Sequence, residues 1–204
     1  MEKRIKIMYL ILILIIILSV VGFAIYNANH VDTLNTEFQE NLNTAHGYYQ
    51  DRLIKMNESA TALPSTIRLN NNYDAQQMKD VMAIDKQAED LLKKEIDSLN
   101  KAKEYATTKT QKEYLSLLIE SRENNQKYFD TLAKLMETNL KFAQGNITLA
   151  EQTSSINQYS DELAIIQNDT SKIEKIGTFL AANPDFKQQL VDLNLKIEYL
   201  GETS

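Results

Sequence analysis

The sequence contains no cysteine and no tryptophan, and it has only five glycines and two prolines among its 204 residues. Without cysteine the chain has no disulfide, no thiolate metal ligand and no thiol nucleophile. Glycine and proline supply the tight turns that join short strands, so their scarcity argues against a β fold and favours long helices. The formal net charge of −6 is unfavourable for binding the negatively charged phosphate backbone of a nucleic acid, so no nucleic-acid partner is predicted.

One long apolar run stands near the start of the chain. Residues 8–26 carry no charged side chain, and a helix of this length, at ~1.5 Å per residue, matches the hydrocarbon thickness of a bilayer. Basic residues stay on the cytoplasmic side of a membrane. The pattern therefore predicts a cytoplasmic basic tip at 1–7, a transmembrane anchor at 8–26, and a single-pass protein of the cell membrane whose remainder lies outside. Gly22 and Ala24 leave a second interpretation open, a signal peptide cleaved after Ala24.

Five amphipathic segments follow, and together they predict an extracytoplasmic all-α domain over 31–204. Apolar residues recur along them at steps averaging about 3.5 to 3.6, the period of an amphipathic helix or a coiled-coil seam. The segments are 31–63, 74–107, 111–144, 149–182 and 184–200. Their matched lengths and short connections favour an antiparallel four-helix bundle, placed after the N-terminal transmembrane helix and followed by a short fifth C-terminal helix.

Capping residues place the ends of these helices. Two pairs match the capping box that opens a helix, namely Thr110 with Glu113 and Thr148 with Glu151. Gly145 is placed to end the third segment, and Pro184 is placed at the first position of the fifth. Leu163 belongs to the apolar stripe of the fourth segment and is predicted to be buried. The mixed charges of 184–200 favour packing on the bundle, or on a second copy of it, over binding to a membrane surface.

Three polar residues interrupt the apolar stripe of the third segment between Leu118 and Tyr128. They are Ser121, Arg122 and Asn125. Because buried polar groups are costly unless they are partnered, this interruption has two interpretations. It is either a polar core layer that fixes the register of the helices or part of a ligand pocket between them.

No other pattern in the chain indicates chemistry. His30 and His46 are the only histidines, and both are predicted to lie at the surface. The chain has no Glu-x-x-His pair and no glycine-rich phosphate loop, so no catalytic residue, metal or cofactor is predicted. The chain is predicted not to be an enzyme but a non-enzymatic interaction or scaffold module with a protein partner or a second copy. The alternative is a small-ligand sensor ectodomain that signals through a partner protein.

A resemblance to known proteins agrees with both alternatives. The basic tip, the apolar span, Ile25-Tyr26-Asn27 and the heptad-like first helix resemble the start of chemoreceptor ectodomains whose sensor is a four-helix bundle. That resemblance implies a sensor domain outside the membrane. Tyr26-Asn27 and Pro184-Asp185-Phe186-Lys187 are, more weakly, similar to LemA-like proteins, which also carry an N-terminal anchor before a helical domain.

Overall fold

A computed structural model describes residues 36–62, 75–195 and 199, apart from the side chains of Gln167 and Asn168. Every regular element within 36–62 and 75–195 is a helix. Helix α1 is described over 36–62. The helices that follow are α2 (Ala75–Glu104), α3 (Lys109–Ala143), α4 (Leu149–Asn168), α5 (Ser171–Ala181) and α6 (Pro184–Asp192).

Helix α2 runs antiparallel to both α1 and α3, so α1 and α3 run in the same direction. Arg52 of α1 bonds Glu95 near the end of α2, whereas Ala62, later in α1, accepts a hydrogen bond from Gln77 near the start of α2. Glu95 in turn bonds Arg122 in the first half of α3. The short connection between α2 and α3 makes this reversal the expected arrangement, because it leaves no length for a crossover.

The fourth limb of the bundle is formed by α4 and α5 together. Both helices pack on α3. Gln152 of α4 donates to Asn139 near the end of α3, and Lys172 of α5 forms an ion pair with Glu120 nearer its start. The limb therefore keeps one direction, antiparallel to α3, across the junction between α4 and α5.

The prediction of one continuous helix over 149–182 is wrong, because the chain leaves the helix at Asp169 and Thr170. Asp169 turns its carboxylate to the backbone N–H and the hydroxyl of Ser171, and Thr170 donates to Glu174. Short polar side chains of this kind compete with the helix for backbone groups. The apolar period continues through the break, which is why periodicity alone missed it.

The remaining helix ends follow the predictions in part. The capping box of Thr148 and Glu151 is confirmed, and Gly145, with a φ of 73°, ends α3 as predicted. The box that opens α3 lies two residues earlier than predicted, at Thr108 and Gln111, because the glutamine side chain accepts from the Thr108 N–H in place of a carboxylate.

The fifth predicted helix, 184–200, is shorter in the structure and ends at Asp192. It begins at Pro184 as predicted, and Phe186 and Leu190 are buried in the main apolar core, where the Phe186 ring meets Tyr114 edge to face at 5.3 Å. The prediction that this segment packs on the bundle is confirmed for these two side chains. Asn194, with a φ of 56°, lies in the left-handed region just after α6.

The apolar core is concentrated in one half of the bundle. The largest cluster joins α1, the end of α2, the start of α3, α5 and α6, together with Leu195 and Tyr199. Helix α4 contributes no buried apolar side chain, and Gln152 is the one buried residue among its described side chains. Leu163 is only half-buried, so the prediction that it is a core residue is wrong. Leu149 and Ile165 of α4 are 60% and 71% exposed.

The predicted fold class is contradicted in its transmembrane helix. None of the helices within the described ranges combines the length and the apolar character that crossing a bilayer requires. The same finding conflicts with the transmembrane and signal-anchor features predicted with that helix. The basic tip at 1–7 and the stretch 8–26, to which the span was assigned, lie outside the described residues.

Candidate functional site

A buried ionic cluster joins the first three helices at the middle of the bundle. Both oxygens of the Glu95 carboxylate accept hydrogen bonds from guanidinium groups. Arg52 reaches Oε2 through Nε at 3.3 Å and Nη2 at 3.2 Å, and Arg122 reaches Oε1 through Nε at 2.5 Å. The exposed fractions are 0% for Glu95, 1% for Arg122 and 3% for Arg52. Charge-assisted bonds of this type are among the strongest that side chains make.

Aromatic rings surround the two guanidinium groups. The Cζ of Arg122 lies 5.0 Å from the ring centroids of both Tyr49 and Tyr199, and the Cζ of Arg52 lies 5.2 Å from that of Tyr49. These distances are within the range in which a ring face attracts a cation. The rings therefore fix the orientation of the two arginines as well as enclosing them.

Tyr199 completes the cluster from the far end of the chain. Its hydroxyl donates to Glu95 Oε1 at 2.8 Å, and its backbone oxygen accepts from the hydroxyl of Tyr114 at 2.8 Å. Burial raises the pKa of both tyrosines above the ordinary value, and for Tyr199 the charge of Glu95 adds to this effect. Both hydroxyls therefore stay protonated and act as donors across the physiological pH range.

The cluster opens on one side into a cleft of about 250 Å³ between α1, α3 and the junction of α4 and α5. The helix break at Asp169 and Thr170 forms one wall of it. The polar lining comes from Arg52, Ser121, Arg122, Asn124, Asn125, Asp169, Thr170 and Lys172. The apolar and aromatic lining comes from Leu53, Met56, Tyr128, Phe129, Ile166 and Ile173. A concave site with an apolar wall and a few convergent polar groups is the usual form of a small-molecule site.

The charges at the rim of the cleft are already engaged with each other. Lys172 forms an ion pair with Glu120, and this hydrogen bond lowers the pKa of Glu120 and raises that of Lys172. Asp169 accepts from Ser171, which lowers the pKa of Asp169. These groups are partly exposed to solvent, so their interactions are weakened and screened. Among the charged groups of the lining, the two buried arginines are therefore the ones whose charge is least screened by water.

The three residues singled out from the sequence all line this cleft. Ser121 and Arg122 are buried, and Asn125 is half-buried. Arg122 belongs to the ionic layer, whereas Ser121 and Asn125 face the open space beside it. The layer and the pocket that the sequence left as alternatives thus adjoin each other, and a role in ligand binding stays a prediction.

Sequence reasoning missed four members of the site: Arg52, Glu95, Tyr199 and the histidine beside them, His46. His46 was predicted at the surface, but it is buried, with its ring 5.1 Å from that of Tyr199. Within α1 the apolar pattern was continued from Tyr49 to Leu53, whereas the buried face continues to Arg52. A strict step of 3.5 from Ala45 would have placed Arg52 inside.

The described residues hold no group of three or more histidine or acidic side chains positioned to bind a metal ion. In comparisons by sequence and by fold, no protein family, no characterised protein and no solved structure matches this chain. The resemblance to chemoreceptor ectodomains and to LemA-like proteins therefore stays a prediction. Over the described residues, the fold and the site define a helical bundle in which two buried arginines line a cleft.

A half-buried carboxyl, that of Asp85, provides a test of how the bundle tolerates charge. Burial raises the pKa of Asp85 above its ordinary value of 3.8, although a hydrogen bond with Ser59 opposes the rise. The folded state thus holds this proton more tightly than the unfolded state, and the stability it contributes is lost as the pH rises through the folded pKa. We expect Asp85→Asn to be more stable than the native chain at neutral pH, with the difference shrinking as the pH falls towards 3.8.

Denaturant unfolding of the full-length chain across this pH range measures the effect. The matched control is Asp97→Asn on the same helix, where the side chain is exposed. A difference between Asp85→Asn and the native chain that is independent of pH would contradict the assignment of a raised pKa.

Proposed function

We propose that this protein is a non-enzymatic helical module that binds a small organic anion in the cleft beside the ionic cluster. One observation carries the proposal: the guanidinium groups of Arg52 and Arg122, both almost fully buried, line an open cleft of about 250 Å³. The proposal takes up the ligand-binding alternative derived from the sequence. In that alternative, a separate partner protein receives the signal.

The chemistry of the lining supports an anion that also carries an apolar group. A guanidinium group matches the planar geometry of a carboxylate and also binds phosphate, and it is less strongly hydrated than an ammonium group. Met56, Phe129 and Ile173 belong to the same lining and offer apolar surface. A ligand with a carboxylate at one end and an aromatic or branched body at the other would use both parts of the cleft.

A binding role also accounts for the presence of the ionic cluster. Buried Arg–Glu–Arg groups are seldom needed for stability, since apolar side chains of similar volume often replace them without loss. If Glu95 and the arginines served only to fix the register of the helices, tight packing around them would be expected on every side. Instead the layer opens into a cleft at Ser121 and Asn125.

The residues of the cleft support binding rather than catalysis. Arginine stays protonated at physiological pH, so Arg52 and Arg122 can hold a charge but cannot transfer protons. The part of the lining that the structure describes contains no histidine. We therefore propose that the bound anion is recognised and released unchanged.

A thermal-shift experiment on the full-length chain tests this proposal. The probe is phenylacetate, its neutral isostere phenylacetamide is the matched ligand control, and inorganic phosphate tests whether a bare anion suffices. At about a hundred times its Kd, a ligand adds about 2.7 kcal/mol of stability, or roughly 5–10 °C for a chain of this size. We expect this shift with phenylacetate and not with phenylacetamide.

The matched protein control is a charge-free variant, with Arg52→Met, Glu95→Leu and Arg122→Met combined. It should fold and show no shift with any of the three compounds. A shift of equal size in this variant would place the anion elsewhere. If neither phenylacetate nor phosphate raises the melting midpoint of the native chain, the proposal is overturned.

A second candidate, an interaction or scaffold module, is favoured by one feature of α4. This helix buries no apolar side chain, while Leu149 and Ile165 are mostly exposed. Two copies of the chain could cover these residues by pairing their α4 helices. Sedimentation equilibrium across protein concentration tests this, with Ile165→Lys as the variant. A dimer that the substitution dissociates would support the pairing of two α4 helices, and a monomer at every concentration would exclude this pairing.

A further inference from the structure

Tyr199 makes all its described contacts with the ionic cluster and the side chains around it. Its hydroxyl bonds Glu95, its ring lies against Arg122, and its backbone oxygen accepts from Tyr114. Its ring also meets those of His46 and Tyr49 edge to face, at 5.1 and 5.5 Å. It follows α6 in the chain, so a residue from near the C-terminal end is held by the centre of the bundle.

We propose that Tyr199 is a positioning residue for the anion site, acting through Arg122, and that occupancy of the cleft in turn tightens the attachment of Tyr199 to the bundle. This inference rests on the proposed function, because it assigns a second effect to the same bound anion. It gives a non-enzymatic sensor an output, namely the strength with which Tyr199 is held against the bundle.

The positioning effect follows from the geometry of Arg122. An arginine side chain loses rotamer freedom when it binds a ligand, and this loss weakens binding unless the side chain is held beforehand. The Nε of Arg122 is held by Glu95, and its guanidinium plane is held by the rings of Tyr49 and Tyr199. Removing the Tyr199 ring would leave Arg122 with more orientations to lose.

The reverse effect follows from thermodynamic linkage. If the Tyr199 contact strengthens anion binding by some factor, the anion must strengthen the Tyr199 contact by the same factor. The anion and the ring need not touch each other, since both contact the same guanidinium group. The coupling thus links the cleft, through Arg122, to Tyr199. This residue is 104 positions away along the chain from Glu95, to which its hydroxyl is bonded.

Two substitutions separate the ring of Tyr199 from its hydroxyl. Tyr199→Phe keeps the ring over Arg122 and loses the bond to Glu95, whereas Tyr199→Leu loses both. Phenylacetate affinity is measured by calorimetry on the full-length chain, at a temperature where every variant is folded. We expect Tyr199→Leu to weaken binding by up to about tenfold, the cost of ordering one long side chain on binding, and Tyr199→Phe to recover most of that loss. The matched control is Tyr159→Leu on α4, which should bind as the native chain does.

Hydrogen exchange supplies the readout that a purely structural role would leave unchanged. Saturating phenylacetate should slow exchange in the peptide that carries Leu195 and Tyr199 by about the same tenfold factor. Phenylacetamide should leave the exchange rate unchanged. This measurement uses the native chain, so it stands even if Tyr199→Leu fails to fold.

The possible outcomes distinguish this inference from the function on which it rests. If phenylacetate binds but Tyr199→Leu binds it equally well, or if exchange at Tyr199 stays unchanged, the inference is overturned and the proposed function remains. If neither phenylacetate nor phosphate binds to the native chain, both are overturned. Weaker binding by Tyr199→Leu together with slowed exchange in the native chain supports the coupling.

Discussion

Glu95→Gln should lower the free energy of unfolding by about 3–5 kcal/mol, the cost of removing one partner from a buried ion pair. The substitution keeps the shape of the side chain but removes the negative charge that both Arg52 and Arg122 bond. It leaves two buried guanidinium groups facing a neutral amide. For a chain of this size, the melting midpoint should fall by roughly 6–20 °C.

The control for this prediction is Glu104→Gln, which changes an exposed glutamate on the same helix and should leave the midpoint almost unchanged. The charge-free variant supplies a second comparison, because apolar side chains in place of the whole cluster avoid the buried, uncompensated charge. It should be at least as stable as Glu95→Gln and close to the native chain. A midpoint for Glu95→Gln equal to that of the native chain would show that water or another group compensates the two arginines.

Leu180→Ala should lower the free energy of unfolding by about 2–5 kcal/mol, the usual range for a buried leucine that leaves a cavity. Leu180 lies in the largest apolar cluster and is fully buried. Leu163, on the same predicted stripe but in α4, is only half-buried, so Leu163→Ala should cost much less, about 1 kcal/mol. Urea unfolding of the two full-length variants measures both effects. Equal losses for the two would contradict the finding that α4 contributes no apolar side chain to the core.

The general form of the bundle could be predicted from periodicity, but the break in its fourth limb could not. The apolar pattern runs on from Ile166 to Ile173 in steps that fit a single helix. Helix α4 ends because the side chains of Asp169 and Thr170 compete locally for backbone hydrogen bonds. This competition does not change the spacing of the apolar residues, so periodicity cannot reveal it. The break matters for function, because it forms one wall of the cleft.

The ionic cluster was only partly predictable, because charged residues are read from sequence as surface residues. Arg122 was noticed since it falls within an otherwise apolar stripe. Arg52 and Glu95 were not, because neighbouring leucines and isoleucines offered an apolar choice at nearly the same helical phase. Their burial depends on each other, and pairing between distant positions is visible only when the helices are placed together. Tyr199 was missed for the same reason, since its contacts lie up to 153 residues away along the chain, at His46.

The most direct test of the central claim is an isothermal titration of phenylacetate into the full-length native chain and into the charge-free variant. The account predicts one site per native chain with a Kd of about 1 mM or tighter, and no measurable binding heat from the variant or from phenylacetamide. Equal binding by the native chain and the charge-free variant, or binding of phenylacetamide as tight as that of phenylacetate, would contradict the claim that Arg52 and Arg122 hold an anion in the cleft.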